Sequence, residues 1–215
     1  MTRDPDRYLT LAGSADVERK IQRSRFLAFA AHAADAGAAG ALVDRLRREH
    51  HDARHVCSAW RLGEPEDVAE ARHDDGEPSG TGGEPILTAI RGADLSDVVV
   101  AVVRYFGGIK LGTGGLGRAY GGAAAAVLAV APRREVHLGH HWHLAFGYEQ
   151  QKSLAHLLAA HHGRTVLEDY AAGVAWTIWL PRKAGDDFAA AVREATAGRI
   201  VPRRLRPPSS PDDAP

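Results

Sequence analysis

Apolar and polar positions change period several times along the chain, and each change marks an element. ADVERKIQ places Val17, Arg19 and Ile21 in one register and Glu18, Lys20 and Gln22 in the other, which predicts a strand. SRFLAFAAHA predicts a second strand, with a hairpin turn near Arg23 and Ser24. After Asp35, a residue suited to cap a helix, Ala38, Ala41, Leu42, Val43 and Leu46 form an apolar helical stripe. ARHVCSAWRLG reads as a strand with His55, Cys57 and Ala59 on one face and Val56, Ser58 and Trp60 on the other. A long acidic, glycine-rich loop from Gly63 to Glu84 follows, and Pro85 opens a short helix, PILTAIRGA.

The stretch from Val98 to Ala131 organises this part of the chain. Its valines carry no charge until Arg104, too short a run to span a membrane and rich in β-branching, so it predicts a strand buried on both faces. Arg104, Tyr105 and Phe106 end that strand. Gly107, Gly108, Gly112, Gly114, Gly115 and Gly117 then form a glycine loop, and from Leu116 small apolar residues predict a helix that Pro132 stops. A helix N-terminus leaves N–H groups without intrahelical partners and carries the positive end of the helix dipole, so it suits an anion. Glycines let a phosphate approach the backbone, and Lys110 and Arg118 add charge. Gly112, Gly114 and Gly117 fit G-x-G-x-x-G, yet GGIKL separates strand from motif and no convincing strand precedes the acid Glu135, so the dinucleotide fingerprint is incomplete. The plainer alternative is that these glycines only let the helix pack closely on the strand.

Beyond Pro132 the pattern restarts. LGHHWHLAFGY, RTVLEDYAA, GVAWTIWLPR and RIVPRRL read as strands, and YEQQKSLAHLLAAHH and KAGDDFAAAVREATAG as helices, giving the β-α-β-β-α-β order of a ferredoxin-like domain. His137, His141 and His143 alternate onto one strand face, which fits a solvated edge better than a metal site. The expected organisation is an N-terminal segment over 1–13, a first domain over 14–133, a ferredoxin-like domain over 137–205 and a disordered tail over 206–215.

Charge narrows the function. The 27 basic and 27 acidic side chains of this 215-residue chain cancel, so no global field draws it to nucleic acid or anionic membrane, and any polyanion must bind locally. Cys57 is the sole cysteine, which rules out an intrachain disulfide and fits a reducing compartment. With no leader pattern and no membrane-length apolar run, the expectation is a cytoplasmic protein that does not engage a membrane.

Two constellations raise the question of catalysis. His55 and Cys57 share a strand face, but a cysteine in a buried strand is more often an apolar filler than a nucleophile. Asp74, Asp75 and Glu77, with His55 and His73 nearby, have oxygen donors suited to a divalent cation. No metal-histidine motif supports that use, and a turn rich in Asp, Gly and Pro needs no ligand. If the loop folds beside the glycine loop, its acids would instead orient Arg104, Lys110 or Arg118. No cofactor, resident metal or catalytic residue is assigned on these grounds.

DDGEPSGTGGEPIL at Asp74 to Leu87 and VVRYFGGIKLGTGGLGRAYGG at Val102 to Gly122, with DARHVCSAW at Asp52 to Trp60, resemble the YigZ/IMPACT family. The likeness extends from about Val17 to Leu205. It implies an α+β fold of two domains, the first similar to the second domain of a small-subunit ribosomal protein and to domain IV of elongation factor G, the second similar to domain V of that factor. It implies a link to translation or its regulation. Eukaryotic members restrain the general-control kinase by binding its activator, through an extra domain not expected here. The leading expectation is a non-catalytic binding protein for structured RNA or the ribosome, without DNA sequence specificity. In it Arg104 and Lys110 contact phosphates, Arg118 adds charge, Tyr105 or Phe106 stacks, and the glycines supply backbone donors. The alternatives are an enzyme acting on a phosphorylated small molecule or nucleotide, because the first domain also resembles small-molecule kinases, and an adaptor for a protein of the translation machinery.

Overall fold

The computed structural model describes residues 6–171 and 173–206. Among the described residues the chain divides into two compact units, a larger one from Tyr8 to Val136 and a smaller one formed by 6–7 and 137–206. Most of the tail for which disorder is expected lies outside the described residues.

The larger unit contains β1 (Arg7–Leu11), β2 (Ala15–Ile21), β3 (Ser24–His32), α1 (Ala36–Glu49), β4 (His55–Leu62), β5 (Ala69–His73), α2 (Gly83–Gly92), β6 (Val98–Tyr105), α3 (Gly112–Val130) and β7 (Arg133–His137). Five strands form one sheet in the order β2-β3-β6-β4-β5, while β1 pairs with β7 in a separate ribbon. β6 lies at the centre because its side chains from Val98 to Val103 are all buried, an environment that suits valine and excludes charge. Val98, Val100 and Val102 face α2 and α3 in a core with Phe26, Cys57, Ile86, Tyr120 and Val127. Ala101 and Val103 face the α1 side, with Val43, Leu46 and Val56. The sheet is therefore covered on both faces. Asp35 caps α1 as its sequence predicts, accepting from the Ala38 N–H at 2.7 Å.

Two local readings change. The loop from Gly63 to Glu84 contains an edge strand, β5, and α2 begins at Gly83 rather than Pro85. The helix expected from Leu116 begins at Gly112, so Gly114, Gly115 and Gly117 lie inside its first turns and the true loop is only the short stretch between Tyr105 and Gly112. Low intrinsic helix propensity made these glycines read as loop. Tertiary packing overrides it: α3 lies against α2, with Gly117 and Gly121 beside Pro85.

The smaller unit contains β8 (Gly139–Phe146), α4 (Gln151–Ala160), β9 (Arg164–Asp169), β10 (Val174–Pro181), α5 (Ala184–Ala195) and β11 (Arg203–Arg204). Its four strands are ordered β11-β8-β10-β9, every neighbouring pair antiparallel, which is the ferredoxin-like arrangement. Trp142, Leu144, Trp176, Ile178 and Leu180 point to the helices and pack on Leu154, Leu158, Phe188 and Val192. Both helices cover this one face. Among the described residues no helix is long and apolar enough to cross a membrane.

Candidate functional site

Alternation along β6 sends neighbouring predicted residues to opposite sides of the sheet. Arg104 continues the row of Val98, Val100 and Val102 toward α3, and in register it lies between Phe26 of β3 and His55 of β4. Tyr105 turns to the α1 side. There its hydroxyl meets His50 Nδ1 at 2.9 Å and donates to Asp52 at 3.2 Å, while the Arg25 guanidinium lies over its ring. Tyr105 is thus a packing residue on the other face, which leaves Phe106 as the aromatic residue available for stacking.

Arg104 is 5% exposed, so the prediction that it reaches out to a phosphate is also corrected. Its Nη1 pairs with Glu77 in an ion pair whose side chains are 6% and 4% exposed. The same Glu77 oxygen accepts the Tyr120 hydroxyl at 2.8 Å and has His55 Nε2 at 3.9 Å. The Arg104 plane lies 5.6 Å from the Phe26 ring and 5.5 Å from the Phe106 ring. Among the described residues its Nε has no hydrogen-bond partner, an unusual state for a buried guanidinium nitrogen.

The acidic loop is organised from within. Asp74 accepts from the backbone N–H groups of Gly80, Gly82 and Gly83 at 2.8, 2.9 and 2.8 Å, so it closes the loop and caps α2. Burial alone would raise its carboxyl. The donors of Gly80, Gly83 and Gly82 outweigh that and hold it below the ordinary carboxylate range. Asp75 accepts from Val56 N and from Arg47, each at 2.7 Å. Asp74, Asp75 and Glu77 therefore point to three different partners. Among the described residues no group of His, Cys, Asp or Glu side chains has metal-holding geometry, and the cation reading of this loop, with His55 and His73, is corrected on donor placement. The orienting reading fits one pair, Glu77 with Arg104.

His55 and Cys57 do not form a nucleophile and base. His55 Nδ1 engages the Asp75 carbonyl at 2.7 Å, and the Cys57 thiol donates to the Asp74 carbonyl at 3.0 Å. Burial, followed by the nearby charges of Glu77, Asp74 and Asp75, pushes the Cys57 thiol up to about 12, so it is not a thiolate near neutrality. Burial likewise raises the Tyr120 hydroxyl above its ordinary value, with Cys57 and Glu77 adding to the effect.

Above this buried layer lies a cleft of about 430 Å³ bordered by Arg54, Arg104, Phe106, Lys110, Gly112 and Thr113, among others. The loop between β6 and α3 forms one wall. Gly107 anchors it: its N–H donates to Ser24 Oγ at 3.2 Å, and a Cβ there would stand 1.9 Å from the Arg23 carbonyl oxygen. Gly112, at φ +67°, turns the chain into α3 in a conformation that favours glycine. Leu111, the N-cap residue, offers no side-chain hydrogen bond to the first turn of α3. Lys110 and Arg54 are exposed, and Arg54 lies over the Phe106 ring at 5.6 Å. Phe106 is itself 40% exposed.

The predicted residues thus separate into three groups. Arg104, Phe106, Lys110 and Gly112 meet at the cleft with His55 and Glu77. Gly107 and Gly108 shape its loop, while Gly114, Gly115 and Gly117 lie within α3. Arg118, expected at the helix start, sits two turns in and is exposed, its guanidinium lying back over Gly114. Arg54 was missed. It immediately precedes His55 in DARHVCSAW, but a single exposed arginine in a strand-entry turn has no signal of its own. Tyr120 was missed as a partner of Glu77 because its pairing spans 43 residues.

Comparison with known proteins follows the same division. A family model described as the Impact N-terminal domain matches residues 22–128. IMPACT family member YigZ of Escherichia coli (strain K12) is 37% identical over 195 residues, 90% of this chain and 95% of that protein. A Thermus thermophilus protein described as IMPACT family member in pol 5'region is 52% identical over 113 residues, 53% of this chain and 59% of its own. A crystal structure of a hypothetical protein superposes with a TM-score of 0.65 at 33% identity, covering 94% of this chain and 98% of that one.

Proposed function

Since this chain belongs to the IMPACT family, we propose that it is a non-catalytic cytoplasmic binding protein, linked to translation or its regulation, that holds phosphates of structured RNA or the ribosome at the mouth of the α3 cleft. The observation that carries this reading is the uncapped start of α3 facing a cleft whose rim is formed by exposed Arg54 and Lys110. Free N–H groups at a helix start favour an anion, and rim cations add an attraction that salt weakens. In this reading Phe106 stacks on a base, a role supported by its exposure beside two guanidinium groups. Arg104 works indirectly. Held by Glu77, it supports the Phe106 ring.

A binding role is favoured over catalysis by the state of the candidate reactive groups. Cys57 is buried and protonated, and the loop acids are held by backbone donors, arginines and Tyr120. The test is co-sedimentation with ribosomes from the source organism across a salt series, comparing wild type with an Arg54→Ala, Lys110→Ala double variant. Loss of salt-sensitive binding in the variant, with melting unchanged, is the expected result. Absence of wild-type binding at low salt overturns it, and stabilisation by a nucleotide with magnesium in the same preparation would favour the enzyme alternative instead.

A further inference from the structure

The smaller unit holds a second surface that the α3 cleft does not involve. Because α4 and α5 pack on one face of its sheet, the alternate residues of the central strands form the other face: His141, His143 and Ala145 on β8, and Ala175, Thr177 and Trp179 on β10. Register brings four of them together, Trp179 opposite His141 and Thr177 opposite His143. On the flanking strands Arg164 pairs with Trp179 and Arg203 with His143, so both arginines project to this same face.

The chemistry of this patch is cationic and planar. The Arg164 guanidinium lies 4.6 Å from the centre of the Trp179 ring, and the indole packs against Gly139, where a Cβ would stand 2.4 Å from it. This fixes a flat cationic shelf whose outer side is exposed. Beside β8 and β11, a groove of about 390 Å³ is bordered by His143, Arg199 and Arg203 and, among the described residues, by no carboxylate. Arg164 and Arg203 make no ion pair among the described residues. Asp169 also lies on this face, but it stands beside Ala175 at the opposite end of β10 from Trp179.

We infer that this open sheet face binds single-stranded RNA, with a base stacked on the Arg164–Trp179 shelf and backbone phosphates held along Arg199 and Arg203. A protein partner's acidic segment would use the arginines but would not need the planar shelf, whereas bases stack on aromatic rings and guanidinium planes whatever their sequence. The edge strands β9 and β11 stand three strand spacings apart, about 14 Å. A short single strand can therefore contact both arginines while lying across the central strands.

Fluorescence anisotropy of a labelled oligouridylate with the full chain tests this, with an unlabelled RNA duplex as competitor. Trp179→Leu and Arg164→Ala should each weaken binding roughly ten-fold. An Arg199→Ala, Arg203→Ala double variant should lower the salt slope by about 1.4, the value for two phosphates on a single strand. Far-ultraviolet circular dichroism and the melting midpoint confirm that each variant folds. The sheet variants should show the same losses when built on an Arg54→Ala, Lys110→Ala background, where the rim cations of the α3 cleft are gone, which separates this surface from that cleft. No oligouridylate binding at low salt, binding unchanged in the sheet variants, or duplex competing as well as single strand would each overturn the inference.

Discussion

The two sheets of this protein are covered differently, and the difference decides where each can bind anything. The larger unit's sheet has α1 on one face and α2 with α3 on the other, so its central strand is buried along its length and only its end, at Arg104 to Phe106, reaches a cleft. The smaller unit's sheet has helices on one face alone, leaving His141, His143 and Trp179 on the other. Sites at the end of a closed sheet are made by loops and a helix start, and their geometry depends on buried support. Sites on an open face are made by side chains that little else requires. Substitutions should therefore destabilise the first region and leave the second folded.

Removing the buried support should have the largest effect. Glu77→Ala leaves Arg104 buried without its carboxylate and Tyr120 without its acceptor, so we expect a loss of about 3–5 kcal/mol in denaturant unfolding. A loss below 1 kcal/mol would mean that the ion pair does not support the cleft. Asp74→Ala strands three backbone donors at the loop and the α2 start, and the expected cost is about 1–3 kcal/mol, read from the same midpoint shift.

The pH dependence is a subtler probe of the same buried layer. The Cys57 thiol titrates near 9 when unfolded and is pushed up to about 12 in the fold, so its contribution is complete below pH 9 and is lost as pH rises toward 12. Wild type should therefore lose stability more steeply than Cys57→Ala across that window. Parallel curves would show that the thiol is not buried as described. Substitutions on the open face, Trp179→Leu excepted because its ring rests on Gly139, should change stability least: Arg164→Ala and Arg203→Ala should stay within about 0.5 kcal/mol of wild type. A larger loss would mean that this face is structural, and the contrast between the two sheets would fail.

Much of this fold was legible in residue order. The valines of β6, the Asp35 cap and the alternation of β4 each follow from a local period that tertiary structure reinforces. β5 was not legible, since AEARH is short, offers only Ala69 and Ala71 on its apolar side and pairs as an edge strand. Nor was the start of α3, where a run of glycines of low helix propensity hides the helix they belong to. The site was legible as a neighbourhood rather than as roles. Arg104, Phe106 and Lys110 were found together because they are close in sequence. That Arg104 is buried, that Tyr105 faces away and that Glu77 and Tyr120 support the guanidinium all depend on pairings made across the sheet.

The most direct test of the α3 cleft is the salt dependence of ribosome binding by wild type and by the Arg54→Ala, Lys110→Ala variant. If both cations meet phosphates, the slope of log affinity against log salt should fall by about 2 in the variant while its melting midpoint is unchanged. An identical slope in the two proteins would contradict a phosphate site at the start of α3.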